Sequence, residues 1–133
     1  MVNANELALG NWVYEAKHIK NPMKIVAISE YDVYFVDVKG DGPWESYPET
    51  IEGILITQEL LEKMGFTPTL NGFWRKQSAR REVTYNLERN ILGIESFDRK
   101  YLENRGWLYN VKYVHELQNF HRCITKEEME INL

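Results

Sequence analysis

The sequence predicts an α+β protein whose N-terminal half is a small β-barrel-like, SH3-like lobe. Three observations support this class. Short stretches rich in β-branched and aromatic residues recur before residue 57, with turn residues between them. One short segment after that point carries helix start and stop signals. A second group of strand-like stretches then precedes a final amphipathic segment, and strands segregated from helices are typical of α+β folds.

The N-terminal half contains five predicted strands. Their bounds are Gly10–Tyr14, Lys24–Ser29, Val33–Asp37, Trp44–Tyr47 and Ile51–Ile56. The second and third strands form a hairpin across a tight link, and the dense turn cluster Lys39–Pro43 precedes the fourth strand. Short strands with regular turns predict a β-barrel-like lobe over residues 1–56.

A short helix and four more strands follow. Thr57 is a good N-cap, Ile56 and Leu61 have the spacing of a hydrophobic staple, and Gly65 suits the position after the helix. The later predicted strands are Gly72–Lys76, Glu82–Asn86, Asn90–Phe97 and Trp107–Lys112. The polar stretch 98–106 predicts a loop or a single helical turn. Residues 57–133 therefore form an α+β lobe, or the whole chain forms one compact domain.

Composition limits the protein class. The 133 residues carry a net charge of −4, which disfavours a general nucleic-acid coat, and no stretch predicts a secretory signal or a membrane span. A single cysteine fits a reducing compartment, so we expect a cytoplasmic protein. Aromatic residues make up 13% of the chain. They predict ring-filled cores, with a ring-lined ligand groove as the alternative.

The segment Tyr113–Thr125 holds two of the three histidines and the single cysteine. Apolar residues at Val114, Leu117 and Ile124 predict a helix. On a helix His115 and His121 point about 120° apart, so they do not share one metal ion. We therefore expect no metal site and no cofactor here, and Cys123 is expected to be a small buried apolar residue.

A second stripe on the same helix is polar. It consists of His115, Gln118, Asn119 and Arg122, spaced i, i+3, i+4 and i+7. Solvated helix faces are usually rich in Lys and Glu, whereas Gln, Asn and His suit specific hydrogen bonds. The stripe either bonds to a neighbouring strand or loop of the chain or contacts a protein partner.

Basic and aromatic residues cluster near a predicted hairpin tip. They are Trp74, Arg75, Lys76, Arg80 and Arg81. Cations beside a ring can bind single-stranded nucleic acid by phosphate attraction and base stacking. The same residues can instead keep a hairpin edge from pairing with other chains, which the net negative charge favours.

Other motifs do not indicate chemistry. The carboxylates around Asp37–Trp44 lack the order of a calcium loop, so a turn is predicted there. The chain contains no phosphate-binding loop, dinucleotide fingerprint or nucleophile elbow. We therefore assign no catalytic residue.

Three stretches together resemble a known family. They are Glu6–Val13, Ile54–Phe66, and Tyr113–Phe120 with Ile124–Thr125 and Glu127–Glu130. The chain resembles a family of small uncharacterised proteins encoded in gut-bacterial genomes, often in prophages, whose most specific motif has the form Y-V-H-x-L-Q-N. The resemblance implies a small intracellular accessory protein and draws attention to His115, Gln118 and Asn119.

The end of the chain departs from that family pattern. Lys126 stands where the family has a glycine, so the resemblance does not define the turn that follows the helix. Alternation at Met129, Ile131 and Leu133 predicts a terminal strand. A capping box at Thr125 and Glu128 is the helical alternative.

Three functional hypotheses follow from the sequence. The first is a non-enzymatic module that binds a protein partner through His115, Gln118, Asn119 and Arg122. The alternative is a nucleic-acid-binding accessory protein that uses the basic hairpin. The third is a hydrolase with a site near His115 and Glu116.

Overall fold

The structure, a computed structural model, describes residue 2 and residues 4–15, 21–78, 81–96 and 106–133. The chain divides into two compact units. The first unit comprises Met1–Leu55 with Tyr113–Asn119 and Leu133, and the second comprises Ile56–Lys112 with Phe120–Asn132. Both contain an antiparallel sheet, one helix lies between the two groups of strands and another follows them in the chain, so the α+β prediction is confirmed.

The first unit contains a five-stranded antiparallel sheet in the order β4-β3-β2-β1-β5. The strands are β1 Trp12–Glu15, β2 Met23–Ile28, β3 Val33–Val36, β4 Trp44–Ser46 and β5 Ile51–Glu52. The sheet is curled. β1 pairs with β2 through residues 12 and 13 and with β5 through residues 14 and 15, and a bulge interrupts β2 between Ile25 and Ala27. Bulges increase local twist and help a sheet to curl.

One face of this curled sheet forms the core of the first unit. Alternate residues of each strand point to the same side. The buried cluster consists of Val2, Val13, Met23, Ile25, Val33, Phe35 and Ile51. We call the side of the sheet that bears these residues the core face.

The fifth strand is shorter than the predicted Ile51–Ile56 segment. β5 ends at Glu52, and Leu55 makes only an isolated bridge to Tyr113. At Gly53 a Cβ atom would lie 2.5 Å from the Tyr113 ring, so only glycine fits without movement. β5 thus ends one residue before the position where the Tyr113 ring lies against the backbone.

The second unit begins with helix α1, Gln58–Lys63, as the sequence predicts. The Thr57 hydroxyl accepts a hydrogen bond from the Leu60 N–H at 3.2 Å, which caps the helix. Gly65 has a φ of +89°, the left-handed conformation that ends many helices. Both end signals are confirmed.

A second antiparallel sheet follows, in the order β10-β9-β8-β7-β6. Its strands are β6 Thr67–Pro68, β7 Phe73–Gln77, β8 Arg81–Asn86, β9 Ile91–Ser96 and β10 Gly106–Asn110. The buried Tyr85 hydroxyl donates to the Val111 carbonyl at 2.7 Å and so satisfies its polar end. The loop predicted at 98–106 lies outside the described residues, apart from Gly106.

Helix α2 covers Val114–Thr125. The Glu116 side chain accepts a hydrogen bond from the Tyr113 N–H at 3.1 Å, the backward half of a capping box. At the other end, Lys126 has a φ of +62°, and its N–H donates to the Arg122 carbonyl at 2.9 Å. The helix thus ends on a left-handed residue.

Two predictions near the C-terminus are wrong. Residues 126–133, all described, contain no strand and no further helix. Of the alternating apolar residues, Met129 is buried. The Asn132 N–H donates to the Lys63 carbonyl of α1, not to a neighbouring strand. Cys123 is exposed, because its position on α2 faces away from the buried side.

Candidate functional site

The polar stripe of helix α2 bonds to the N-terminal segment of the first unit. The Gln118 amide nitrogen donates to the Gly10 carbonyl at 3.0 Å, and its oxygen accepts from the Trp12 N–H at 2.8 Å. Gln118 is only 4% exposed. Both polar atoms of this side chain are therefore used by the backbone on either side of Asn11.

Asn119 continues the same network. Its oxygen accepts from the Asn11 side-chain amide at 2.9 Å, and its nitrogen donates to the Glu6 carbonyl at 2.7 Å. Asn11 is fully buried, and its own oxygen accepts from the Ala8 N–H at 2.8 Å. Together these bonds hold residues 6–12 against the helix. Of the two interpretations of the stripe, the structure thus supports bonding to a neighbouring segment of the chain for Gln118 and Asn119.

His115 is completely buried at the start of the stripe. Its Nε2 atom lies 3.5 Å from the Glu6 Oε2 atom, and its ring stacks on Tyr113 with centroids 5.7 Å apart. Neither ring nitrogen makes a well-aligned hydrogen bond to a described residue. Burial lowers the pKa of His115, although Glu116 and Glu6 oppose this effect. The ring is thus a fully buried group without exposed surface for a substrate.

Arg122, the last member of the stripe, makes contacts in the second unit. Its Nε atom lies 2.8 Å from the Glu128 Oε1 atom. One turn before it, His121 is buried, with Nδ1 3.1 Å from the Glu127 carbonyl. The structure therefore brings His115, Gln118 and Asn119 together in the first unit, whereas the ion pair of Arg122 with Glu128 lies in the second unit.

The basic hairpin of the second unit does not offer the predicted stacking surface. Trp74 is 5% exposed and belongs to the buried side of β7. Arg75 lies 3.6 Å from the Glu82 carboxylate, measured from Nε to Oε1, and Lys76 is half-buried. Arg81 is exposed, whereas Arg80 lies outside the described residues. The cations remain near a hairpin, but the ring needed for base stacking faces the core.

A cavity of about 630 Å³ lies in the first unit, at the β4 edge of the core face. Phe35 and Trp44 are cross-strand partners there. Phe35 is 2% exposed, whereas Trp44 is 45% exposed because β4 is an edge strand of the sheet. The apolar core face of the sheet is thus exposed to solvent at the β4 edge, through the ring of Trp44.

The walls of this cavity are acidic. Among the residues that the structure describes, its lining includes four carboxylate residues, Glu15, Asp37, Asp41 and Glu45, and one cation, Lys39. By strand alternation, Glu15 shares the core face with Phe35, whereas Glu45 points to the opposite face; Asp37 follows the last residue of β3. Glu45 raises the pKa of Tyr34, its cross-strand partner on that face. The negative charge therefore surrounds the edge from both sides of the sheet.

The turn before β4 fixes part of this charge. One Asp37 oxygen accepts from the backbone N–H groups of Lys39 and Asp41, both at 2.9 Å. The Asp37 N–H in turn donates to the Asp41 carbonyl at 3.0 Å. These bonds confirm the predicted turn and hold the carboxylate of Asp37 in place at the cavity wall. Across the described residues, no group of three or more His, Cys, Asp or Glu side chains could hold a metal ion.

Sequence reasoning treated Trp44 as part of a strand and the residues before it as a turn, and it missed the cavity. The signal was the alternation of Phe35 and Asp37 on one strand with Trp44 at the start of the next. A ring-lined groove was the alternative interpretation of the aromatic content, and the cavity contains such rings.

Comparison with known proteins finds no matching family model, no similar curated protein and no similar solved structure. The resemblance to the gut-bacterial family thus stays a prediction. In the described part of the chain, no helix is both long enough and apolar enough to cross a lipid bilayer.

Proposed function

We propose that the protein is a non-enzymatic interaction module that binds a positively charged protein segment in the acidic cavity of its first unit. One observation carries the proposal: Trp44 stands 45% exposed on the core face, beside buried Phe35, in a cavity whose described lining includes four carboxylate residues. An open tryptophan face attracts cations, and nearby carboxylates add to that attraction. The cavity, and not the α2 stripe, then becomes the interaction surface.

The hydrogen bonds of the stripe support this change of surface. Gln118 and Asn119 use their side-chain amides on residues 6–12. A partner that bound them would have to displace those bonds and expose buried polar groups, which costs about 1–3 kcal/mol for each group. Trp44 and Asp41 make no comparable demand, because both are already exposed to solvent.

The SH3-like character of the first unit is part of the same proposal. A meander of four short antiparallel strands, with β5 returning to pair with β1, supports it. A cytoplasmic location and an accessory role in a mobile element also belong to the proposal, and they rest on the sequence alone.

Binding of a defined cationic probe tests this function. We would measure the affinity of a short peptide of alternating threonine and lysine, and of its glutamine counterpart, by calorimetry at two ionic strengths. We expect the lysine peptide to bind, and its affinity to fall as the salt concentration increases. The reason is that salt screens the attraction between exposed charges, with a screening length of about 10 Å at 0.1 M. The glutamine peptide should not bind.

Matched variants separate the cavity from general acidity. Asp41→Asn with Glu45→Gln should weaken the lysine peptide about fivefold to tenfold, as expected for two partly exposed charge contacts. Glu30→Gln with Glu62→Gln removes the same charge from exposed positions outside the cavity and should change affinity less than about twofold. Equal losses in the two double variants would show that the cavity is not the site.

A further inference from the structure

The β4 edge of the first sheet indicates how a ligand would be held. β4 has β3 as its only strand neighbour in the described part of the chain. In an antiparallel sheet, alternate residues of an edge strand direct their N–H and C=O groups outward. Trp44–Ser46 therefore presents backbone donors and acceptors directly beside the acidic cavity.

We propose that the partner is an extended basic peptide segment that adds to the sheet along β4 and places alternate cationic side chains in the cavity. This inference rests on the proposed function. Strand addition uses main-chain hydrogen bonds for affinity and alternate side chains for specificity. Side chains of the added strand that share the core face with Trp44 and Ser46 would enter the cavity, where Asp37 and Asp41 lie.

The charge at this edge selects the occupant. A second copy of the chain, paired along β4, would bring its own Glu45 and cavity carboxylates close to those of the first copy, and such like-charge pairs are destabilising. A short, charged edge strand is a usual protection against pairing between copies. A cationic strand meets the opposite situation, because each of its charges approaches a carboxylate. Charge therefore disfavours pairing of β4 with a second copy of the chain and favours pairing with a basic segment.

The geometry of a strand sets the spacing of the ligand. Side chains on one face of a strand repeat every second residue, about 6.6 Å apart. A peptide with lysines at alternate positions can direct them all to the cavity, whereas adjacent lysines point to opposite faces. Peptides of identical composition and net charge should consequently differ in affinity.

Three peptides test the inference by calorimetry on the intact protein. The first alternates threonine and lysine, the second has the same composition with its lysines adjacent, and the third is the alternating peptide with alternate backbone nitrogens methylated. We expect the adjacent and methylated peptides to bind about tenfold more weakly than the alternating one, since they lose register or main-chain hydrogen bonds. Backbone amide signals of Trp44–Ser46 should shift on binding of the alternating peptide.

The outcomes separate the two proposals. If all three lysine peptides bind equally and Asp41→Asn with Glu45→Gln weakens them alike, strand addition is wrong and the acidic cavity remains the site. If none of them binds, both proposals fail. Trp44→Leu adds a second measurement. It should lower the affinity of every lysine peptide about threefold, because the cation–π contact with the ring is missing.

Discussion

Asn11 and Asn119, 108 positions apart in the sequence, share a hydrogen bond of 2.9 Å between their side chains. Asn11 is fully buried, and its oxygen and nitrogen both have partners, in Ala8 and Asn119. Buried amide groups of this kind cost free energy unless all their bonds are made. The stripe of α2 is thus a structural clamp on the segment before β1, built of amides because they can donate and accept at once.

Replacement of Gln118 by alanine should destabilise the protein. It leaves the partly buried Gly10 carbonyl and Trp12 N–H without the Gln118 side chain as partner, so we expect a loss of about 1–3 kcal/mol in the free energy of unfolding. Urea denaturation measures it. Arg122→Ala is the control from the same helix, with an expected loss below about 1 kcal/mol because its ion pair with Glu128 is partly exposed. An unchanged midpoint for Gln118→Ala would show that the clamp contributes nothing.

Gly53→Ala should also destabilise the protein, for a steric reason. Its Cβ would lie 2.5 Å from the Tyr113 Cδ1 atom, so either the ring or the backbone must move. Overpacking of this kind costs about 1–3 kcal/mol. The control is the same change in a Tyr113→Ala background, where the ring is absent and the added cost should nearly vanish. A cost that persists in that background would place the cause elsewhere.

The fold was more predictable from the sequence than the candidate site. Thr57, Leu61 and Gly65 carry local signals for the ends and buried side of α1, and local signals act within a few residues. The partners of Gln118 lie more than a hundred positions away, and no local pattern identifies them. The sequence placed Trp44 at the start of a strand, but its exposure depends on β4 being an edge strand, and the strand order is a property of the whole sheet.

Cys123 and the C-terminal tail show the same limit. Periodicity fixes which residues share a side of a helix, but it does not say how far the buried side extends around it. Alternation near Met129 similarly predicts one apolar side, whereas a strand also needs an edge with which to pair. Both errors arose where tertiary context, and not the local pattern, decides the outcome.

Lys126→Gly should stabilise the protein. Lys126 has a φ of +62°, where a residue with a Cβ is strained and glycine is not. We expect a gain of about 1 kcal/mol in the free energy of unfolding, after allowance for the greater freedom of glycine in the unfolded chain. Lys126→Ala is the control, because it removes the charge and keeps the Cβ, so it should bring no gain. A loss of stability in the glycine variant would show that the lysine side chain itself is needed.

Acidification below neutral pH should destabilise the protein through its two buried histidines. Burial lowers the pKa of His115 and His121, and Lys76 lowers that of His121 further, against the opposing effect of Glu127 and Glu128. The unfolded chain, with histidine pKa values near 6.5, therefore binds protons at a higher pH than the folded protein does. This contribution to stability is fully present above about pH 6.5 and is lost as the pH falls toward the folded-state pKa values.

Each histidine should add a slope of up to about 1.4 kcal/mol per pH unit in this window, where carboxylates of ordinary pKa stay charged. Urea denaturation between pH 7.5 and 5.5 measures the total slope. NMR titration of the imidazole protons assigns it, with pKa values below about 6.5 expected for both residues. A folded-state pKa of His115 above that value would mean that the Glu116 and Glu6 carboxylates, the latter 3.5 Å from Nε2, outweigh the burial of the ring.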